Sequence, residues 1–144
     1  MSNCQIDLQS IIICLSKLKK NSLKTQAKML KPYNLGTRHA GYIMALSKGN
    51  GITMKELSDV LCVDPANTTR VIGSLTKMGL VDNDCQKEGC RKYNVFLTEK
   101  GKQVAEQMKK DIVNCSVEIM DPLTDDEKKT CVTLLFKMAG SSNE

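Results

Sequence analysis

Two signals for the start of a helix lie close together near the middle of the chain. In the tetrapeptide TMKE, Thr53 and Glu56 form a capping box, in which each side chain satisfies a free backbone donor of the first turn. Asp64 followed by Pro65 is a second start, because the carboxylate caps the helix and a proline in the first turn loses no hydrogen bond. The apolar side of the first helix comprises Leu57, Val60 and Leu61. The sequence therefore predicts a short helix, a tight connection and a second helix, which together make a helix-turn-helix.

The second of these helices ends at Gly79 and has two distinct sides. On a helical wheel at about 100° per residue, one side gathers the apolar residues that would pack on the rest of the domain. This packing side comprises Thr68, Val71, Ile72, Leu75 and Met78. The opposite side, called here the open face, is small, hydrogen-bonding and positively charged. It comprises Ala66, Thr69, Arg70, Gly73 and Lys77, with Asn67 and Ser74 at its flank.

The open face is suited to the major groove of DNA. Its low relief lets the helix sink into the groove, and its polar groups can reach base edges. In a helix-turn-helix, the N-terminal residues of the second helix are the ones that contact bases. The alternative interpretation is an ordinary amphipathic helix whose polar side faces water.

The segment after this helix has the pattern of a β-hairpin. Tyr93, Val95 and Leu97 alternate in the stretch RKYNVFLT as they would in a half-buried strand, and a polar loop separates them from Val81. The tip of the hairpin is basic and carries Lys87, Arg91 and Lys92. A hairpin at this position makes the helix-turn-helix a winged one.

Helical periodicity predicts further helices on both sides of this unit. The first is long and ends near Lys31, because Pro32 follows it. Another runs from about residue 37 to 47, and two long helices begin at the capping residues Thr98 and Thr124. The predicted fold class is mainly α: a winged helix-turn-helix with a small β-hairpin wing and additional N- and C-terminal helices.

Basic residues concentrate in the first third of the chain. The net charge is +5, and residues 1–50 carry eight Lys and Arg against one acid, Asp7. One interpretation is a solvated helix face, and the other is a surface that meets nucleic-acid phosphate or a small acid. The chain has neither a signal-peptide pattern nor an apolar run of the roughly 18 residues that a membrane helix needs. We therefore expect a cytoplasmic protein with no membrane partner.

The centre of the chain resembles the MarR family of bacterial and archaeal transcription regulators. The resemblance is carried by the stretches ITMKELSDVLCVDPANTTRVIGSLTKMGLVDN and RKYNVFLTEKGKQVAEQM, and it runs from about Leu35 to Met108. It implies N- and C-terminal helices that interlock into a dimer and a pocket for small, often anionic ligands beside the winged domain. We accordingly expect residues 34–101 to form the DNA-binding region, and residues 1–33 with 102–144 to form a helical dimerisation region of the same compact unit.

Positions that match the family's motifs imply roles in DNA binding. Asn67, Thr69 and Arg70 match groove-reading residues, and Arg91 matches the wing-tip arginine that enters the minor groove. With their neighbours on the open face and at the wing tip, the predicted DNA-binding residues are Ala66, Asn67, Thr69, Arg70, Lys77, Lys87, Arg91 and Lys92.

The wing departs from the family pattern at one position. Relatives carry Asp, any residue and then Arg there, and the acid steadies the arginine. In this chain the position of the acid is Gly89, with Glu88 adjacent to it and able to substitute. Glycine leaves the tip freer, so ordering Arg91 on DNA is expected to cost more entropy.

The cysteines and the single histidine do not predict a metal site. The cysteine count is seven, an odd number that favours reduced thiols in a chain without a secretion signal. Cys85 and Cys90 form a C-x4-C pair, but no second pair at ligand spacing accompanies it. Some relatives sense oxidants through a cysteine of the N-terminal helix, and Cys14 is the candidate for that role. His39 is expected to be a polar residue of the second helix.

The leading functional hypothesis is a DNA-binding regulator. No nucleophile–base pair, Gly-rich phosphate loop or pair of carboxylates points to catalysis, so we predict neither an enzyme nor a cofactor. The expected homodimer binds an inverted repeat in double-stranded DNA through helix 64–78 and wing 81–97, and a small organic acid releases or retains it. Two alternatives stay open: an oxidant-responsive regulator, and a winged helix used as a protein-interaction module, which an exposed apolar patch on the open face would favour.

Overall fold

The computed structural model describes residues 7–86 and 89–140, apart from the side chains of residues 116 and 117. The helices are α1 (Leu8–Leu30), a 3-10 helix (Lys31–Tyr33), α2 (Thr37–Leu46), α3 (Met54–Leu61), α4 (Pro65–Lys77), α5 (Glu99–Met120) and α6 (Asp125–Met138). The strands are β1 (Ile52–Thr53), β2 (Val81–Asn83) and β3 (Asn94–Leu97). The predicted fold class is confirmed, and the 3-10 helix and β1 are additions to the predicted order.

Both predicted helix starts are present. The hydroxyl of Thr53 accepts a hydrogen bond from the backbone nitrogen of Glu56 at 3.2 Å, and the Glu56 carboxylate accepts one from the backbone nitrogen of Thr53 at 3.0 Å. At the start of α4, the Asp64 carboxylate accepts from the backbone nitrogen of Asn67 at 3.1 Å. Between the two helices Cys62 has a φ of 53°, a left-handed conformation that turns the chain after α3. The caps at the starts of α3 and α4, with the turn at Cys62 between them, therefore define the helix-turn-helix.

The wing belongs to an antiparallel sheet with the strand order β1-β3-β2. β2 and β3 are the two arms of the predicted hairpin, with Val81 opposite Leu97. The sequence pattern did not predict β1, where Ile52 pairs with Val95. Two residues are too few to display alternation, and Thr53 in that strand also caps α3. The sheet therefore joins the wing to the start of the helix-turn-helix.

The apolar side of α3 differs from the prediction at one position. Leu57 is buried as predicted, whereas Val60 is 63% exposed. Ser58 is packed in its stead at 4% exposure, because α3 meets α4 on the side that carries Leu57 and Ser58. The Ser58 hydroxyl lies 2.8 Å from Thr68 Oγ1, and a buried hydroxyl with partners costs little. The largest fully buried side chains of the core are Leu30, Ile43, Leu57, Leu75, Val95 and Met108.

The start of α5 is attached to the C-terminal end of α4. A Cβ atom at Gly101 would collide with the carbonyl oxygen of Leu80, so this close approach requires glycine. Thr98 donates its backbone N–H to the same carbonyl at 3.1 Å and its hydroxyl to the Gly79 carbonyl at 2.7 Å. The C-terminal end of α4 and the start of α5 are thus held in a fixed relation.

The terminal helices leave much apolar surface exposed. α1 packs along α5, and the Tyr33 hydroxyl donates a 2.6 Å hydrogen bond to Asp111 of α5. That hydrogen bond, with burial and the negative charge of Asp111, raises the pKa of Tyr33 to about 12. In α6, which is described throughout, no residue is buried. The exposed large apolar side chains of α1 and α6 are Leu8, Ile12, Ile13, Leu15, Leu18, Leu23, Leu134, Leu135, Phe136 and Met138.

Candidate nucleic-acid interface

The packing side of α4 is buried, as the sequence predicts. Its residues are Thr68, Val71, Ile72 and Leu75, with Met78 half-buried. Thr68 is polar but has two hydroxyl partners, Ser58 at 2.8 Å and Tyr42 at 3.3 Å. These contacts fix the rotation of α4 about its axis, and so they determine which residues face outward.

The open face of α4 is exposed and has low relief. Its residues are Ala66, Thr69, Arg70, Gly73 and Lys77. A Cβ atom at Gly73 would meet nothing within 4 Å. The Thr69 hydroxyl donates to the Pro65 carbonyl at 3.0 Å, so it offers its surroundings an acceptor and a methyl group. Arg70 is the long donor at the N-terminal half of this surface.

Asn67 lies at the flank of the open face and is half-buried. Its amide nitrogen donates to the Tyr42 hydroxyl at 3.4 Å, and that hydroxyl is also 3.3 Å from Thr68. Tyr42 belongs to α2 and is 3% exposed. A buried tyrosine therefore orients the Asn67 amide, a contact that sequence periodicity could not reveal.

The N-terminus of α2 and the middle of α4 form a basic notch. His39 accepts at Nδ1 from the backbone nitrogen of Gly36 at 2.9 Å, and its Nε2 lies 3.2 Å from the Ser74 hydroxyl. Because Nδ1 accepts, Nε2 carries the proton and donates to Ser74. Burial, followed by the charge of Arg38, lowers the pKa of His39.

Arg38 and Arg70 both line this notch, whose volume is about 310 Å³. The predicted DNA-binding residues did not include Arg38. A basic residue in the first turn of the helix that precedes a helix-turn-helix could have indicated a DNA contact. His39 lies on α2, as expected, and its side chain also joins α2 to α4.

The wing places its two described basic residues in solvent. Arg91 and Lys92 are exposed, and Arg91 forms no ion pair within the described part of the chain. At the base of the wing, Asp84 accepts from the backbone and side-chain nitrogens of Asn94 at 2.6 and 2.9 Å, and these bonds lower the pKa of Asp84. Gly89 has a φ of +83°, a conformation that side chains rarely adopt. The predicted contact Lys87, and Glu88, lie outside the described residues.

A cavity of about 240 Å³ lies between α1, α2 and α5. Its lining carries no charged side chain: Ser22, Thr25, Gln26 and the Cys115 thiol are polar, and Met44 and Ile112 are among the apolar residues. The basic residues of the first third do not line this cavity: Lys19, Lys20 and Lys24 of α1 line a separate shallow groove. The cause is helical periodicity, because the lysines and the cavity-lining residues lie on different sides of α1.

A wider cleft and the thiol of Cys14 are two further candidate sites. The cleft, of about 560 Å³, lies between the C-terminus of α2, β3 and α5 and includes Lys48 and Lys102. Cys14 is exposed on α1. Over residues 7–86 and 89–140, no three His, Cys, Asp or Glu residues are grouped so as to hold a metal, and no helix is long and apolar enough to cross a membrane.

Comparison with known proteins agrees with this geometry along most of the chain. A model of the MarR family matches residues 42–83, from α2 through β2. The HTH-type transcriptional regulator BilQ of Clostridioides difficile (strain CD3) is 29% identical over 130 residues, which cover 90% of this chain and 86% of that protein.

Solved structures extend the agreement to the wing and the terminal helices. A MarR transcriptional regulator from Methanosarcina mazei Go1 superposes with a TM-score of 0.82 at 29% identity, over 93% of this chain and 90% of that one. Wild-type apo MarR from E. coli superposes with a TM-score of 0.77 at 26% identity, over 94% and 98% of the two chains. These relatives are transcription regulators, a class of proteins without enzymatic activity. The family model, the curated relative and these solved structures all indicate the MarR family of winged helix-turn-helix transcription regulators.

Proposed function

We propose that this transcription regulator binds operator DNA by laying the open face of α4 in the major groove. The observation that carries the proposal is the combination of low relief and positive charge on that face. Gly73 lets the groove wall approach the helix, and Arg70 offers a planar donor that suits guanine. Ala66, Thr69 and Lys77 complete the contact surface, with Asn67 directed from the flank.

The wing and the basic notch supply the contacts beside the major groove. Arg91, with Lys92 and the predicted Lys87, would lie in or along the minor groove, where the potential is most negative at narrow A·T-rich sites. Arg38 lies beside the N-terminal backbone of α2, which is a favourable place for a phosphate. Phosphate contacts of this kind position the protein, whereas base contacts give it specificity.

We propose further that the functional unit is a homodimer. The apolar side chains of α1 and α6 are exposed in the single chain, and apolar surface of this extent marks an interaction site. A second copy of the chain covers both helices at once. The two copies of α4 would then lie about 34–36 Å apart, one turn of DNA, so the operator would be an inverted repeat.

The cavity between α1, α2 and α5 is the proposed ligand site. Its neutral lining favours a small, mainly apolar molecule with one polar group that reaches Ser22, Thr25 or Gln26. Such a ligand acts only through a difference in its affinity for DNA-competent and incompetent states. Benzoate and benzamide form a matched pair that tests whether the ligand is charged or neutral. Stronger release of DNA by benzamide supports this cavity. Release by benzoate alone favours the cleft that contains Lys48 and Lys102.

Selection of bound duplexes from a random pool tests DNA binding directly. We expect enrichment of an inverted repeat with half-sites one helical turn apart. Gly73→Glu and Gly73→Gln form a matched pair, since both enlarge the open face and only glutamate adds a charge that repels phosphate. Binding lost in the glutamate variant and kept in part in the glutamine variant supports the proposed surface. A pool without enriched sequence, or equal binding by both variants, contradicts it.

The protein-interaction alternative has less support. It requires an apolar patch on the open face, and the exposed residues there are small, polar or basic.

A further inference from the structure

The hydroxyl of Tyr42 holds the side-chain amide of Asn67 in one orientation. The amide nitrogen of Asn67 donates to that hydroxyl at 3.4 Å, and the hydroxyl also lies 3.3 Å from Thr68 Oγ1. Tyr42 and Thr68 are both buried, and the Ser58 hydroxyl donates to Thr68 Oγ1 at 2.8 Å. Three hydroxyl groups, one each from α2, α3 and α4, therefore support the flank of the open face from within the core.

The contact with Tyr42 decides which atoms of Asn67 are left for a ligand. An asparagine amide has one oxygen that accepts and one nitrogen whose two hydrogens donate. Because one of these hydrogens is directed to Tyr42, the oxygen Oδ1 and the second N–H are left. The amide of Asn67 therefore offers an acceptor and a donor side by side.

The next polar residue of the open face, Thr69, also offers an acceptor. Its hydroxyl donates to the Pro65 carbonyl at 3.0 Å, which leaves the hydroxyl oxygen as an acceptor beside the methyl group. Ala66 adds a second methyl group. Arg70 has the opposite character, because a guanidinium donates and cannot accept. The N-terminal half of the open face thus carries acceptors at Asn67 and Thr69 and donors at Arg70.

This pattern of acceptors and donors distinguishes between the four bases in the major groove. Only adenine and cytosine present an amino group there, which can donate to an acceptor such as Oδ1. Adenine also presents the acceptor N7 next to its amino group, whereas cytosine presents the amino group alone. Guanine and thymine present acceptors, which would lie against Oδ1 without a hydrogen between them. Asn67 therefore matches adenine with two groups, cytosine with one, and guanine or thymine poorly.

We propose that Asn67 reads an adenine in each operator half-site, with Oδ1 accepting from N6 and the second amide N–H donating to N7. The methyl groups of Ala66 and Thr69 suit the thymine methyl of the same or an adjacent A·T pair. Arg70 lies three residues further on, about 4.5 Å along the helix axis. Since base pairs are about 3.4 Å apart, its guanine lies within about two base pairs of the adenine. The inference rests on the proposed function and adds the identity of the bases.

Nuclear magnetic resonance of the isotope-labelled full-length chain tests the orientation without DNA. The two side-chain amide hydrogens of Asn67 are assigned by their loss in Asn67→Ala. Tyr42→Phe keeps the aromatic ring and removes the hydroxyl, so we expect one hydrogen to move upfield and the other to stay. Ser58→Ala is the matched control, because it removes a hydroxyl that bonds Thr68 instead of the amide, and it should move neither. If Tyr42→Phe moves neither hydrogen, or both alike, the orientation is wrong.

Selection of duplexes from a random pool by the parent, Asn67→Ala and Asn67→Asp tests the base that is read. The position read by Asn67 is the one at which Asn67→Ala loses its preference. We expect the parent to favour adenine over guanine there by roughly 5- to 150-fold. Asn67→Asp should move the preference to cytosine, because a carboxylate accepts from N4 and has no N–H for N7. The added charge repels every duplex alike, so it cannot change the base at a single position.

The outcomes of the selection separate this inference from the proposed function. Guanine, thymine or cytosine at the position read by Asn67 in the parent would overturn the contact with adenine. Full retention of adenine by Asn67→Asp would show that the second N–H is not used, and it would overturn the two-group contact. An enriched operator that Asn67→Ala leaves unchanged at every position would remove Asn67 from base reading while DNA binding stands. A parent that enriches no sequence overturns the proposed function itself.

Discussion

The imidazole of His39 and the hydroxyl of Ser74 lie 3.2 Å apart, and they join the N-terminus of α2 to the middle of the recognition helix. The other ring nitrogen caps α2 at Gly36. One neutral histidine therefore joins two elements of the proposed DNA-binding surface. Protonation of Nδ1 would remove the acceptor that the Gly36 N–H requires.

Stability is expected to fall below neutral pH because of His39. Its pKa is lowered in the folded state, by burial first and by Arg38 second. The unfolded chain therefore binds more protons than the folded one, so the stabilisation is complete above an unfolded pKa of about 6.5 and is lost as pH falls through the folded value. Chemical denaturation at several pH values between about 5 and 7.5 measures the trend. His39→Gln should flatten it, and an unchanged slope in that variant would assign the effect to other groups.

Alanine substitution of Arg70 and of Arg38 should change DNA binding in different ways. We propose that Arg70 contacts base edges, so its loss should relax the sequence preference and cost about 1–3 kcal/mol at each contacted base pair. We propose that Arg38 contacts phosphate, so its loss should weaken binding uniformly and reduce the salt slope by about one. Titration of the operator and a scrambled duplex at several salt concentrations separates the two outcomes. A uniform loss for Arg70→Ala would place that guanidinium on phosphate.

Tyr42→Phe should reduce both stability and specificity. The change removes the hydroxyl that Asn67 and Thr68 share, and loss of a buried hydrogen bond costs about 0.5–1.5 kcal/mol. The freed Asn67 amide should discriminate less between bases while the charge of the surface stays the same. Operator selection with the variant, beside denaturant unfolding, measures the two effects. Asn67→Ala is the control, and Tyr42→Phe should add no further loss of specificity in that background.

Arg91→Ala should weaken binding and reduce any preference for A·T pairs beside the half-sites. Gly89→Asp would place there the acid of the family pattern, and a gain is expected from it only if the backbone at this position tolerates a side chain. With a φ of +83° at that residue, a side chain costs about 1–2 kcal/mol, so the gain is expected to be offset. The parent, both single variants and the double variant are compared on one operator. A benefit from aspartate that persists without Arg91 would disprove their pairing.

Charge on α6 should dissociate the proposed dimer. Leu135 is exposed in the single chain, and we place it in the dimer interface. Loss of one buried leucine costs about 1.5–3 kcal/mol, so Leu135→Lys should raise the dissociation constant at least about tenfold. Thr130→Lys, also on the surface of α6, is the matched control. Sedimentation equilibrium gives both constants, and a folded parent monomer at micromolar concentration would contradict the dimer.

Local chemistry determined most of the helical architecture. The capping box at Thr53, the Asp64 cap and Pro65 act within one helical turn, so their effect could be predicted from neighbours in the sequence. The packing side of α4 followed from periodicity, because buried side chains must share one stripe. These local signals were sufficient to identify the helix-turn-helix, the wing and the family.

Tertiary structure alone decided the features that depend on contacts between distant residues. Val60 is exposed and Ser58 buried because α3 packs at an angle that its own periodicity does not specify. β1 exists only because β3 lies beside it, and the cavity is neutral because α1 turns its lysines away from α2 and α5. The contacts of Tyr42 with Asn67 and of His39 with Ser74 likewise require the folded chain to bring separated groups within hydrogen-bond distance.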